Sequence, residues 1–532
     1  MSRAPQRFVL HTGLAFLGGL VGCGDVAREV SGPPALASQV CTAAPEEIGV
    51  PRPLAPGTSC VELGLERARY AVAFFDTRFV QAARVSPELL VPEQDPYTVT
   101  IRAGTGIDGG PITSRALTPR PQPRPDDDAM TDRVVRLSAG AAASPACPTD
   151  PGFGVFCHER LWSPGDTLTL PESFGLFTGG SPRAVQIFLV RAPFVFSVSR
   201  SLREDDRARL EPILTNLAKI GILRVLPLLR RTLLDRPVHT SLGSQQILVD
   251  IVFDRIPVCV CGVTVGQEVN GIGMAGVSLR LPDGLAFEAD RVGLFAHELT
   301  HVWQLAYEAG RSADPASAPP TTSWALEGGA DLVRQEVLRG LSLQPLAGNR
   351  DASQPAANIY LDRMLRNLRV ATGRIRDGYG QTAGFLRQLF LDATRAGSLY
   401  EPALSAVLLG ALEGWYPSTD PTYSGDGLAG RLGAIAPGFD PTRAVLLYAL
   451  ANAADDRTKN ADLQNHTVLD SWRESLGSRF VPEADVGTGG GVTLSRESGS
   501  VGYVYFEHDG TPARLSLEAD IPEVRWMMVR FE

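Results

Sequence analysis

RVGLFAHELTHVWQLAYEAG, Arg291–Gly310, is the stretch on which the reading of this chain turns. At its centre His297-Glu298-Leu299-Thr300-His301 forms an H-E-x-x-H motif. Val292, Phe295, Leu299, Val302 and Ala306 recur at helical spacing, with Asp290 as an expected N-cap and Gly310 as an expected stop. On such a helix His297 and His301 stand at i and i+4, on one face and one turn apart. Two imidazoles placed in this way bind a single zinc ion, and Glu298 between them reaches a metal-bound water as general base.

A catalytic zinc takes a third protein ligand and keeps one position open. The continuation H-E-x-x-H-x-x-G-x-x-H is excluded, because Gln304 and Tyr307 occupy the places of its glycine and third histidine. A carboxylate from a following helix is the other route. Trp324-Ala-Leu-Glu327-Gly-Gly-Ala-Asp331 supplies one after residues 302–326, enough for a helix end, a loop and an antiparallel return. Glu327 and Asp331 again stand at i and i+4. This fits Glu327 as ligand and Asp331 as the acceptor that fixes the tautomer of a ligand histidine. Glu336 and Asp331 are alternative ligands. Gly328, Gly329 and Ala330 keep this helix thin enough to approach the motif helix closely.

The whole chain has 532 residues, 44% hydrophobic and 20% charged, which places it among globular proteins with two to four domains. Its net charge of −9 argues against nucleic acid as a partner, since phosphate binding needs clustered Lys and Arg. Residues 1–22 read as an export signal, with Arg3 and Arg7 ahead of the apolar run Phe8–Leu20. The segment ends Leu20-Val21-Gly22-Cys23, which resembles the lipobox of bacterial lipoproteins. That resemblance implies lipidation of Cys23 and a membrane-anchored protein of the cell envelope. The absence of aspartate directly after the cysteine leans towards the outer membrane. No other segment reads as long and apolar enough to span a bilayer.

Six further cysteines suit disulfides in an exported chain, with proximity favouring 41–60, 147–157 and 259–261. Residues 23–60 read as a Gly/Pro/Ala/Ser tether. Residues 61–83 fit helix or strand equally. Tyr97–Arg102, 167–171 and 185–199 read as strands, giving a β-leaning N-terminal region over 61–200. The acidic run Asp126–Asp128 reads as a solvated loop, and His158 as structural. Residues 202–234 carry helical spacing broken near Pro212 and Pro227. Gln246–Phe253 and Gly273–Leu281 read as strands ahead of the motif helix. Helical stretches at 380–415 and 441–477 complete a region spanning 201–480. Residues 481–532, with a turn at Asp509-Gly510, read as a small C-terminal β module in which His508 is a surface residue.

The motif helix followed by Glu327-Gly-Gly-Ala-Asp331, in the order helix, strand, Gly-rich strand, motif helix, Glu helix, resembles the gluzincin (peptidase MA-like) zinc metallopeptidases over about residues 200–400. The resemblance implies an α+β catalytic domain with a small mixed sheet and a helical C-terminal lobe. It implies Zn2+ as cofactor and a peptide or protein as substrate. It also implies that the strand just before the motif helix lines the cleft and accepts substrate as a further strand. Tyr379, opening Tyr379-Gly-Gln-Thr-Ala-Gly-Phe-Leu-Arg-Gln-Leu389, matches a tyrosine that stabilises the oxyanion in several members. His466 is a second candidate for that role. The string H-E-L-T-H-V-x-Q is also similar to a domain found with toxins of extracellular contractile injection systems, over the motif helix alone. A non-catalytic surface lipoprotein with a peptidase-like fold is the competing expectation.

Overall fold

The structure is a computed structural model. It describes residues 41–78, 96–104, 112–115, 133–137, 162–170, 183–233, 247–254, 261–269, 272–282, 288–311, 323–343, 379–415, 425–454, 485–486, 490–496 and 501–531. The described residues form a mixed α+β protein of three sheets and a set of helices, within one compact unit spanning Val40–Glu532. Cys23 and the export signal, Asp126–Asp128, Cys147, Cys157, His158, Cys259 and His466 lie outside the described residues.

The site rests on a seven-stranded sheet. In spatial order it contains β7 (Arg133–Leu137), β12 (Cys261–Val269), β13 (Ile272–Pro282), β11 (Ile247–Asp254), β10 (Phe194–Ser199), β9 (Arg183–Arg191) and β8 (Thr167–Leu170). β11 is a β-branched, apolar run of the kind that fills the middle of a sheet. β10 and β13 pair with it in parallel, while β12 runs antiparallel to β13. The sequence reading had no strand at β12. The expected strand over 185–199 is a hairpin, β9 and β10, turning at Ala192-Pro193.

Helix α1 (Glu204–Ile220) passes through a π-turn at Gly221–Val225 into α2 (Leu226–Thr232). Pro212 lies inside α1, and Pro227 sits in the first turn of α2, where its missing N–H is tolerated. The expected breaks at the two prolines are therefore corrected to a π-turn between them. The combined 29-residue helix is long and apolar enough to cross a membrane by length and composition, contrary to the sequence expectation. In this fold Leu210, Leu214, Leu217, Val225 and Leu229 are buried in the main core instead.

Two further helices carry the motif, α3 (Glu288–Arg311) and α4 (Ser323–Gly340). Asp290 is inside the first turn of α3 and Gly310 inside its last, so the helix extends beyond both expected caps. The apolar stripe read from the sequence is the buried face: Val292, Phe295, Leu299 and Val302 join Phe194, Phe196, Val249, Val277 and Leu279 of the sheet in one cluster. Phe295 meets Phe194 edge-on at 5.3 Å between centroids. Burying each such side chain is worth about 1.5–3 kcal/mol. Beyond α4 come α5 (Tyr379–Arg395), α6 (Tyr400–Glu413), α7 (Gly427–Ile435) and α8 (Pro441–Ala454).

The chain's two ends share their sheets. One sheet runs β1 (Cys41–Ala43), β3 (Cys60–Leu63), β17 (Ala513–Ala519), β5 (Tyr97–Gly104), β15 (Gly491–Arg496), β6 (Ile112–Arg115). The other runs β14 (Asp485–Val486), β16 (Val501–Asp509), β4 (Arg67–Asp76), β18 (Val524–Arg530), β2 (Arg52–Pro53). Val72, Phe74, Val99, Ile101, Val504, Phe506, Leu515 and Met528 fill a core shared by these two sheets. On β4 the alternate residues Ala71, Ala73 and Phe75 belong to the main core. Burial on both faces explains why this run carried no alternation in the sequence.

Several expectations are corrected by this pairing. Residues 481–532 are not a self-contained β module, because β15 and β17 pair with β5 while β16 and β18 pair with β4. The turn at Asp509-Gly510 leads from one sheet into the other instead of closing a hairpin. Residues 41–60 are folded strands closed by the Cys41–Cys60 disulfide, not tether. The expected boundary at residue 200 falls within the seven-stranded sheet. His508 is buried, with Nε2 2.8 Å from the Gly64 carbonyl oxygen and its ring stacked on Phe506.

Candidate metal centre

The middle turns of α3 bring His297 and His301 to the same side, and α4 returns across them. His297 Nε2 and His301 Nε2 lie 3.1 Å apart. Glu327 Oε2 lies 3.1 Å from the first and 3.3 Å from the second. Tetrahedral ligands at zinc–ligand bonds of about 2.0–2.1 Å stand about 3.3 Å from one another, so this triangle has the edges a zinc ion needs. The two rings are near perpendicular, at 86°, as suits lone pairs converging on one point from neighbouring turns. Among the described residues this is the one group of at least three His, Cys, Asp or Glu side chains close enough to share an ion.

Each histidine is held by its outer nitrogen. His297 Nδ1 is 3.1 Å from Asp331 Oδ1, one turn beyond Glu327 on α4. His301 Nδ1 is 2.7 Å from Gln304 Oε1. With these nitrogens as donors, both Nε2 lone pairs face Glu327. Glu336, an alternative ligand in the sequence reading, is instead engaged by Arg339 and by the Tyr400 hydroxyl at 2.7 Å. Asp331 acts as partner of His297 and not as a member of the triad.

The electrostatics are those of a cation site. Burial pushes the His297 pKa down, but hydrogen bonds to Asp331 and Glu327 outweigh it and raise the value well above the ordinary one. His301 is likewise raised, with burial opposed chiefly by the Glu327 charge. Burial alone would raise Glu327, yet the charge of His301 and the hydrogen bond from His297 hold it down, to about 2. Asp331 is lowered against its own burial by His297 and Arg334. None of His297, Glu298, His301, Glu327 or Asp331 is more than 3% exposed.

Glu298 lies on the opposite flank, against β12. The Thr264 hydroxyl is 2.6 Å from Glu298 Oε2 and 2.9 Å from the Glu298 carbonyl oxygen. A Cβ at Gly262 would fall 2.4 Å from Glu298 Oε1, so only glycine leaves room for the carboxylate there. The strand just before α3, β13, has β12 on one side and β11 on the other. Over Val277–Arg280 both neighbours pair with it, so a peptide cannot add there, and the strand touching Glu298 is its neighbour β12.

No family model matches this chain, and no curated protein matches it either.

Tyr379 opens α5, as expected for a helix-start tyrosine, but its side chain lies outside the described residues. The sequence reading missed Thr264, Gly262 and the contact of Gln304 with His301. Gln304 had a readable signal, since it follows His301 by three residues and so shares its helix face. Thr264 had none, because only the sheet brings β12 to α3.

Proposed function

We propose that this chain is a gluzincin-like zinc hydrolase of peptide bonds, acting outside the cytoplasm on a peptide or protein. The observation that carries this reading is the convergence of His297 Nε2, His301 Nε2 and Glu327 Oε2 within 3.1–3.3 Å, with Glu298 between the two histidines in sequence. Zinc bound there supplies a coordinated water of lowered pKa and a polarised scissile carbonyl. His297, His301 and Glu327 hold the ion. Asp331 keeps His297 in the tautomer whose Nε2 is a ligand. The Glu298 carboxylate takes a proton from the attacking water and delivers it to the leaving amine. Tyr379 is assigned to the developing oxyanion. The lipobox-like end at Cys23 supports a lipid anchor for the catalyst, and labelled palmitate incorporated by wild type but not by Cys23→Ala is the result expected.

The reading is tested by incubating the zinc-loaded full chain with a broad peptide library. Cleavage that disappears with a chelator and in Glu298→Gln supports it. A zinc-loaded wild type that cleaves nothing refutes it. One observation favours a second reading, a non-catalytic binding lipoprotein: Glu298 is wholly buried under β12, and β7 pairs along the outer side of β12.

A further inference from the structure

We infer that Gln304 is a positioning residue that locks the two ligand-bearing helices together at His301. This rests on the metal reading above and extends it to a residue with no assigned role. Asp331 orients His297, and the matching question is what orients His301. Gln304 Oε1 accepts from His301 Nδ1 at 2.7 Å. The same amide donates through Nε2 to the Leu326 carbonyl oxygen at 2.9 Å. Leu326 immediately precedes the ligand Glu327. One side chain therefore ties a histidine ligand on α3 to the backbone of the carboxylate ligand on α4.

The chemistry calls for an amide. Oε1 has to accept while Nε2 has to donate, and glutamine offers both from one planar group. A carboxylate would set a second acceptor against the Leu326 carbonyl, and a hydroxyl would be too short to span both partners. Gln304 is 1% exposed, so water cannot stand in for either bond without entering the core. The slot is completed by Gly329. A Cβ there would lie 2.8 Å from Gln304 Nε2, closer than side chains tolerate. The small residue in Glu327-Gly-Gly-Ala-Asp331 thus has a defined task, which is to leave space for this amide.

The test measures zinc affinity of the full chain by competition with a chromophoric chelator, and the visible d–d bands of the cobalt-substituted protein. Gln304→Met keeps the volume and removes both hydrogen bonds. It is expected to weaken zinc binding about 10–100-fold, the usual effect of losing a residue that orients a ligand, and to alter the cobalt bands. Gly329→Ala leaves Gln304 in place and displaces its amide, so it is expected to weaken binding in the same direction. Wild-type affinity and an unchanged cobalt spectrum in either folded variant overturn the assignment. If Gln304→Met does not fold, Gly329→Ala decides alone. A wild type that binds no zinc refutes the metal site itself, which is a different outcome from a wild type that binds and variants that bind equally well.

Discussion

His297 Nδ1 and Asp331 Oδ1 lie 3.1 Å apart, which joins the first histidine of the motif helix to the helix that carries the third ligand. Both groups are buried, so the bond also fixes how α3 and α4 approach one another. Asp331→Ala is expected to lower zinc affinity about 10–100-fold. Asp331→Asn keeps an acceptor for His297 and should lose less. Equal affinities for wild type and Asp331→Ala, measured by chelator competition, would show that His297 is oriented by something else.

Glu298 does not belong to the ligand triangle, so its removal separates binding from chemistry. Glu298→Gln is expected to retain zinc at wild-type stoichiometry while hydrolysis falls about 100- to 10,000-fold, the range for loss of a general base. Metal content and peptide cleavage are read on the same preparation. An unchanged rate sinks the base assignment.

The raised His297 pKa makes metal binding a competition with protons. In the metal-free protein the folded value lies well above 6.5, so protonated His297 stabilises the fold fully below pH 6.5. That contribution is lost as pH rises through the raised value. Zinc needs the neutral ring, so its affinity should keep climbing with pH above 6.5 until the raised value is passed. Glu327, at about 2, stays ionised throughout and adds no slope. Titrations of zinc at several pH values check this, and an affinity already flat at pH 6.5 contradicts it.

β7 pairs in parallel with β12 from Val263↔Arg133 to Gln267↔Leu137. An extended peptide adding beside Glu298 would need that same edge of β12. Val135→Pro removes a backbone donor from β7 and should loosen the pairing. Peptide hydrolysis is expected to rise in this variant at unchanged zinc content. A lower or equal rate shows that substrate enters by another side.

The far end of α3 is held by an ion pair between the buried Glu413 carboxylate and the partly exposed Arg431. Glu413 accepts from Arg431 through both carboxylate oxygens, and from the Tyr307 hydroxyl and the Gly427 amide. Arg431→Met leaves the Glu413 carboxylate buried with its cation gone. A loss of about 3 kcal/mol in unfolding free energy is expected, visible in urea melts. A variant as stable as wild type means that Glu413 does not depend on the Arg431 charge.

The motif helix was legible because its signals are local. Periodicity of apolar residues over Arg291–Gly310 depends only on 3.6 residues per turn, and the two histidines inherit their shared face from it. The Glu327 helix was legible for the same reason. The assignment of Glu336 away from the metal was not, because its partners Tyr400 and Arg339 are chosen by packing. Nor could Thr264 be found, since it approaches Glu298 from 34 positions away through the order of strands in a sheet.

By itself the sequence determined an H-E-x-x-H helix, a second helix with Glu327 and Asp331 on one face, and an α+β class. Helical faces follow from positions three or four apart in the chain. The tertiary structure alone decided that His297, His301 and Glu327 meet at one point, that Gln304 bridges the two helices, and that the strands at the two ends interleave. Side-chain convergence here joins residues 30 positions apart and strand pairing residues hundreds of positions apart, and an alternating pattern states that a strand has two faces without naming its neighbours.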